Sequence, residues 1–314
     1  MAPEIYPRVR NGGRRLDARP ENGVAGNSLP LMREQLLDRF GIEHAILIPL
    51  QSQAFGIGDR TTSVELSRAL NECIEQDWLA EEPRLRGSIC IPHEAPEQAA
   101  REIQRCASDP RFVQVLMPSV GTQPLGESRY WPIYAAAVET GLPVAAHFGG
   151  LEQHQGAGWP SFYLEVHAWA ANTMIAMVLN MICEGVFEEF PDLQVVLVEG
   201  GTAWASSLMW AMDAAWSQLR DEVPHLRRPP SEYFREHFWF TTQPIEEPEN
   251  PEHLAQIIEH SGMADRIMFS SDYPHWDFDS PASALRHLPG ELRKRILFSN
   301  AKRLYQLDRA GSSR

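Results

Sequence analysis

Three apolar runs end in a side chain that can hold a metal or move a proton. They are PVAAH at His147, LQVVLVE at Glu199 and RIMFSSD at Asp272, with His275 just beyond the last. A neutral imidazole is a good metal ligand, and a carboxylate adds charge and a second attachment. Any one of these residues alone is explained as well by a hydrogen-bonded core group or a helix cap; three on a common rim are harder to explain that way. Gly149-Gly150 and Gly200-Gly201 follow two of them directly. Glycine there lets backbone or ligand come close, or simply makes a tight turn.

Such a rim needs strands whose ends converge. Short β-branched runs alternate with amphipathic stretches along the chain, and seven strands are expected: His44 to Pro49, Leu85 to Ile91, Phe112 to Met117, Pro143 to His147, Leu193 to Glu199, Phe238 to Thr242 and Arg266 to Ser271. Most are nearly continuously apolar, as parallel strands are when both faces are covered. Helices are expected from Glu97 to Cys106, from Trp131 to a stop at Gly141, and from Pro251 to a stop at Gly262. From Ala203 onward, Trp204, Leu208, Met212 and Trp216 recur every four residues, a stripe that belongs against a sheet. Alternating β and α units leave an open doubly wound sheet or a (β/α)8 barrel. No G-x-G-x-x-G or G-x-x-x-x-G-K-[ST] follows a strand, so the nucleotide-binding sheet loses its main support.

Composition narrows the function classes. With 28 Lys+Arg against 42 Asp+Glu, the net charge of −14 has the wrong sign for a phosphate-binding surface, so neither nucleic acid nor an anionic membrane is expected as a partner. Hydrophobic residues at 43% and charged residues at 22% describe an ordinary globular chain. Four scattered cysteines, Cys73, Cys90, Cys106 and Cys183, make no disulfide framework; a reducing, cytoplasmic setting is expected. The apolar stretch from Ala168 to Val186 is broken by Asn172, Thr173, Asn180 and Glu184 and reads as a buried helix. No linker divides the chain, so residues 1–314 are expected to form one domain with irregular ends.

The strings GLPVAAHFGG, GVFEEFPDLQVVLVEGG, GMADRIMFSSDYPHWDFDSP and ILFSNAKRLYQL resemble the amidohydrolase-related proteins typified by aminocarboxymuconate-semialdehyde decarboxylase. The likeness runs over about residues 42 to 307, and its most specific pieces are SDYPH and the N-A-x-R-L signature at Asn300 to Leu304. The resemblance implies a distorted (β/α)8 TIM barrel, one divalent metal (zinc or manganese) at its mouth, and a homodimer. It also implies that His147 is the fifth-strand metal ligand and that Asp272 is the eighth-strand ligand and proton carrier. The chain departs from the pattern twice. No two of its eleven histidines are separated by one residue, so the usual first strand with its His-x-His pair is lacking, and Glu199 stands where a histidine is common. Two transferable ligands fall short of the three of a catalytic zinc, so the metal site reads as incomplete unless Glu199 supplies a third. The N-terminus is then either a truncated start, the favoured explanation, or Glu4 to Arg10 replaces the lost strand; Pro7 weakens the second idea. The strands flanking the gap would expose unpaired ladders.

The leading expectation is a metal-dependent carboxy-lyase of a small aromatic or unsaturated carboxylate. Asp272 would exchange the proton, Glu199 and His275 would assist, and His167, Trp276 and Thr242 would contact the substrate. The loop from Phe148 to Tyr163 would cover it, unless it is an ordinary Ω-loop. His167 is also readable as a buried, hydrogen-bonded histidine, and Thr241, Thr242 and Gln243 equally as neutral donors to an anionic or phenolic substrate or as turn-makers. His44, His237 and His260 are taken as surface or cap residues. Hydrolysis of an ester, amide or lactone by the same metal is the near alternative, and a non-catalytic barrel with half its ligands is the other.

Overall fold

The computed structural model describes residues 13–50, 59–148, 162–169 and 171–307. All seven expected strands are present: β1 (Ala45–Leu47), β2 (Leu85–Cys90), β3 (Phe112–Pro118), β4 (Val144–His147), β5 (Val195–Val198), β6 (Phe238–Thr241) and β7 (Ile267–Met268). They form one sheet in sequence order, and every pairing is parallel. That order follows from the alternation in the sequence, because each right-handed crossover through a helix lays the next strand beside the last. Strands β2 to β7 are buried along their whole length, which is why their runs lack a polar alternation.

The helices stop where their sequence says. Trp131–Thr140 ends at Gly141 and Glu252–Ser261 at Gly262, both with φ of 70°, a conformation that costs glycine nothing. The stripe from Trp204 lies on the helix Trp204–Leu219 and packs on the core. The apolar stretch expected as a buried helix is Ala171–Cys183, with Met174, Met177, Val178, Met181 and Ile182 inside. No helix among the described residues is long and apolar enough to cross a membrane.

Gly13 to Arg15 runs antiparallel beside the chain leaving β7: Arg15 N–H donates to the Pro274 carbonyl at 2.8 Å and Trp276 N–H to the Gly13 carbonyl at 2.8 Å. The stretch after β7 is therefore laced by a short antiparallel bridge centred on Arg14 and His275. Glu4 to Arg10 lie outside the described residues. His237 is not at the surface as expected. It is fully buried (0% exposed), stacks on Phe187 with centroids 4.3 Å apart and bonds the Leu193 carbonyl through Nδ1 at 2.8 Å. It closes the helix Pro230–His237 where that helix runs straight into β6, so it cannot reach the surface.

Strand register decides which residues meet at the C-terminal end of the sheet. His147 pairs with Val198, so Glu199 emerges one residue past the level of the imidazole. Thr241 pairs with Met268, and Phe269 to Ser271 continue the path to Asp272. The turn after Glu199 is held by Glu246, which accepts from Thr202 N–H at 3.0 Å and Ala203 N–H at 2.9 Å, an anion set at the N-terminus of the helix Trp204–Leu219.

Candidate active site

His147 is nearly enclosed, 7% exposed, and its orientation is fixed from behind. Nδ1 lies 2.7 Å from the Phe148 carbonyl, which can only accept, so Nδ1 carries the hydrogen. In the neutral ring Nε2 then presents a lone pair, and it faces Glu199 Oε1 at 2.9 Å. Two acceptors this close require a proton or a cation between them. Burial alone would strip the imidazole of its proton, but the Glu199 charge and hydrogen bond, the Phe148 carbonyl and the Asp272 charge together raise its affinity above the ordinary value. Burial likewise works against the charge on Glu199, and His147 and His275 reverse that, holding the carboxyl below the usual range.

Asp272 accepts from His275 Nδ1 at 2.5 Å. Desolvation, with the nearby Glu199 charge, pushes Asp272 up to about 7 despite that hydrogen bond. His275 is raised in turn: burial opposes its charge, but the bond to Asp272 and the surrounding carboxylates outweigh it. Both site acids sit at positive φ, 62° for Glu199 and 53° for Asp272. Left-handed backbone costs a non-glycine residue on the order of 1 kcal/mol or more, and such outliers gather where geometry serves function. Here each outlier sits where a strand's path ends and its carboxylate turns into the shared cluster.

Glu199, Asp272 and His275 each offer a ligand atom within 4.8 Å of the others, and among the described residues they form the one such group. With Nδ1 of His275 committed to Asp272, its Nε2 is the atom left to a metal. His147 joins the group through Glu199 rather than by direct approach to Asp272. Two carboxylates and two imidazoles suit a divalent ion such as manganese or zinc. The donor set is thus larger than His147 and Asp272 alone.

The expected substrate-contacting residues divide. His167 Nε2 bonds Asp277 Oδ2 at 2.6 Å, and its ring lies 5.7 Å from that of Trp276, which is 44% exposed. The bond to Asp277 raises the proton affinity of His167 against burial, and the Asp272 and Glu199 charges add to it, so His167 lies within electrostatic reach of the cluster. Thr242 does not join them. It is 1% exposed, and its hydroxyl accepts from Ser270 N–H at 3.1 Å, bracing β6 against the exit of β7. Gln243, its neighbour, does join: Nε2 donates to Asp277 Oδ2 at 3.0 Å and to the Asp277 carbonyl at 2.8 Å. Asp277 was not singled out by the sequence, although it stands in the same WDFD string as Trp276. Another buried acid, Glu94, is already saturated by Thr122 N–H (2.7 Å), the Thr122 hydroxyl (2.5 Å), the Tyr130 hydroxyl (2.9 Å) and Arg129 (3.2 Å), which makes it a brace. Residues 149–161 of the loop expected to cover the site lie outside the described residues.

Three carboxylate–histidine pairs thus converge at the C-terminal end of the sheet: His147 with Glu199, His275 with Asp272, and His167 with Asp277. The family model described as amidohydrolase matches residues 5–307. The chain belongs to the amidohydrolase family. Within that family it is similar to the gamma-resorcylate decarboxylase of a Polaromonas species, 29% identical over 294 residues covering 88% of this chain and 87% of the relative. A second such enzyme, from a Rhizobium species, is 28% identical over 292 residues with the same coverage. Among solved structures, 2,6-dihydroxybenzoate decarboxylase in complex with 2,6-dihydroxybenzoate superposes with a TM-score of 0.71 at 27% identity, covering 88% of this chain and 87% of the other. A dihydroxybenzoic acid decarboxylase from Polaromonas, with bound manganese and the inhibitor 2-nitroresorcinol, gives 0.72 at 24% identity over 98% of this chain and 91% of the other. The fold is that of these amidohydrolase-family enzymes.

Proposed function

We propose that this protein is a metal-dependent carboxy-lyase removing CO2 from a small aromatic carboxylate of the dihydroxybenzoate kind. The observation that carries the reading is the donor group of Glu199, Asp272 and His275, within 4.8 Å, in a chain aligned over 88% of its length with gamma-resorcylate decarboxylases. Two carboxylates and two imidazoles suit either manganese or zinc, and manganese is preferred because a structural relative holds it. A divalent metal bound there would supply the positive charge that anchors the substrate carboxylate and an adjacent hydroxyl.

The chain's own residues do the rest. Glu199, Asp272 and His275 would hold the ion, with His147, oriented by the Phe148 carbonyl and facing Glu199, as the further ligand. Asp272 also hands its proton to the ring carbon that loses CO2: the carbon–carboxylate bond breaks, its electron pair stays on the ring carbon, and that carbon takes the proton. His275, bonded to Asp272 at 2.5 Å, holds the carboxyl in place and steadies the charge that remains. His167 and Trp276 line the mouth where the ring would lie, with Gln243 in place of Thr242 behind them. We read the curled sheet as most of a distorted (β/α)8 barrel without the usual first strand, folded as one domain over residues 1–314. One hydrophobic cluster from Met32 to Ile296 supports that reading. A cytoplasmic homodimer completes it, with sedimentation as the check on the dimer.

Product analysis of manganese-loaded protein with 2,6-dihydroxybenzoate tests the function. Release of CO2 with one equivalent of resorcinol is the expected result. Absence of CO2 from every hydroxybenzoate offered, together with water-dependent cleavage of an ester or amide, would replace the lyase by a hydrolase.

A further inference from the structure

Asp277 touches none of the groups assigned above to metal or proton transfer, yet it is the most deliberately held acid at the mouth. It accepts three bonds from two donors: His167 Nε2 at 2.6 Å and Gln243 Nε2 at 3.0 Å on the carboxylate, and Gln243 Nε2 again at 2.8 Å on its own carbonyl. Gln243 is 4% exposed and is pinned in its turn, its backbone N–H donating to the Ser270 hydroxyl at 2.8 Å. Because both contacts of its amide are to acceptors, the orientation of the Gln243 side chain is unambiguous. A chain of fixed bonds therefore runs from the exit of β6, through Asp277, to a histidine on the separate helix Tyr163–Trp169.

We propose that Asp277 is a positioning residue for the decarboxylation: anchored by Gln243, it grips the Nε2 edge of His167 and fixes the imidazole plane beside Trp276 and above the Glu199–Asp272–His275 group. The inference rests on the decarboxylase reading. An acid that orients a histidine sets both its tautomer and its plane, and replacing the carboxylate by an amide leaves the shape but loses the orientation. Gripped at Nε2, His167 carries its hydrogen there, and the ring is delivered to the substrate in one orientation instead of many. A misplacement of about 1 Å at a reacting centre costs on the order of 100-fold in rate, which sets the size of effect to look for.

The test is a double-mutant cycle on the manganese-loaded protein with 2,6-dihydroxybenzoate as the probe, using Asp277→Asn, His167→Ala and the pair. If Asp277 acts through His167, Asp277→Asn lowers kcat about 100-fold with KM changed less than about 3-fold, and it lowers kcat less than about 2-fold further when His167 is already alanine. Histidine 15N NMR of the metal-free protein gives a second readout: the His167 ring signals should move to a mixture of tautomers in Asp277→Asn while those of His147 and His275 stay in place. Should Asp277→Asn fail to fold, Gln243→Met, which frees the carboxylate without removing it, takes its place in the same cycle. Multiplicative losses in the two single variants, or unchanged kcat and unchanged His167 signals, would overturn the assignment. Wild-type protein that releases no CO2 from the probe while the His167 signals still shift would overturn the decarboxylase reading and with it the role in turnover, leaving only an orienting contact.

Discussion

At Asp272 two demands compete, and the winner is function. The residue sits at φ 53° and carries a carboxyl pushed up to about 7 by burial beside Glu199. Asparagine tolerates left-handed backbone better than other non-glycine residues, its side-chain oxygen can still accept from His275, and it brings no charge into the cluster. Asp272→Asn should therefore raise the stability of metal-free protein by about 1 kcal/mol while lowering kcat by at least about 1000-fold. Thermal unfolding in chelator, set beside turnover with manganese, checks both. Equal stability and activity to wild type would remove Asp272 from the centre of the mechanism. Single residues of this kind were legible because each ends an apolar run: His147, Glu199 and Asp272 stood out by position alone. Asp277 did not, because what makes it matter is contact across 110 residues of chain to His167 and 34 to Gln243, for which no local pattern exists. Thr242 looked like a substrate contact for the opposite reason. It ends a strand, but β6 and the exit of β7 lie close enough there for its hydroxyl to be taken up by the Ser270 amide.

Among the elements, the opening helical turns Leu29–Met32 and Arg33–Leu37 are tied to the start of β2 by a buried carboxylate. Glu82 accepts from Arg33 Nε at 2.8 Å and Arg84 Nε at 2.8 Å, and Arg84 reaches on to Asp38 at 2.8 Å. The Arg84 hydrogen bond, opposed by burial and aided by Arg33, lowers Glu82 from 4.5 to about 2. A depressed carboxyl stabilises the fold fully above its unfolded value and loses that contribution as the pH falls through the folded one, so the window is from 4.5 down to about 2. Glu82→Gln should cost up to about 3 kcal/mol at pH 7 and almost nothing near pH 2, read from denaturant unfolding of both proteins across that range. A difference independent of pH would mean that shape, and not charge, makes the clamp. Element types were easy to read, since a parallel strand buried on both faces leaves a continuous apolar run. Element ends were harder. The run Arg266 to Ser271 is paired in the sheet only at Ile267–Met268, because Phe269 N–H turns to the Ile296 carbonyl at 2.9 Å and Ser270 N–H to Thr242. The bridge of Gly13 to Arg15 with the segment after β7 had no signature at all, being a single pairing made by residues more than two hundred positions apart.

For the whole molecule the governing fact is that acidity is concentrated where the sheet opens. The net charge of −14 implied no partner when read from composition, yet Glu199, Asp272 and Asp277 bring three carboxylates to one end of the fold, each held by a histidine. Among them Asp272 is the costly member, its charge disfavoured by burial beside Glu199 until a cation relieves it. Metal binding should then be felt as global stability, because an ion that binds the folded chain alone adds RT ln(1 + [L]/Kd). At a free manganese concentration 100 times its Kd this is about 2.7 kcal/mol, or roughly 5 °C in Tm for a chain of this size. His147→Ala keeps the Glu199–Asp272–His275 group but removes the imidazole that faces Glu199, so it should retain the fold and lose most of that increment. Scanning calorimetry of both proteins with and without manganese decides the matter. An equal rise in the two would place the ion away from His147, and no rise in wild type would mean that the convergent pairs are a proton-bridged brace and not a metal centre.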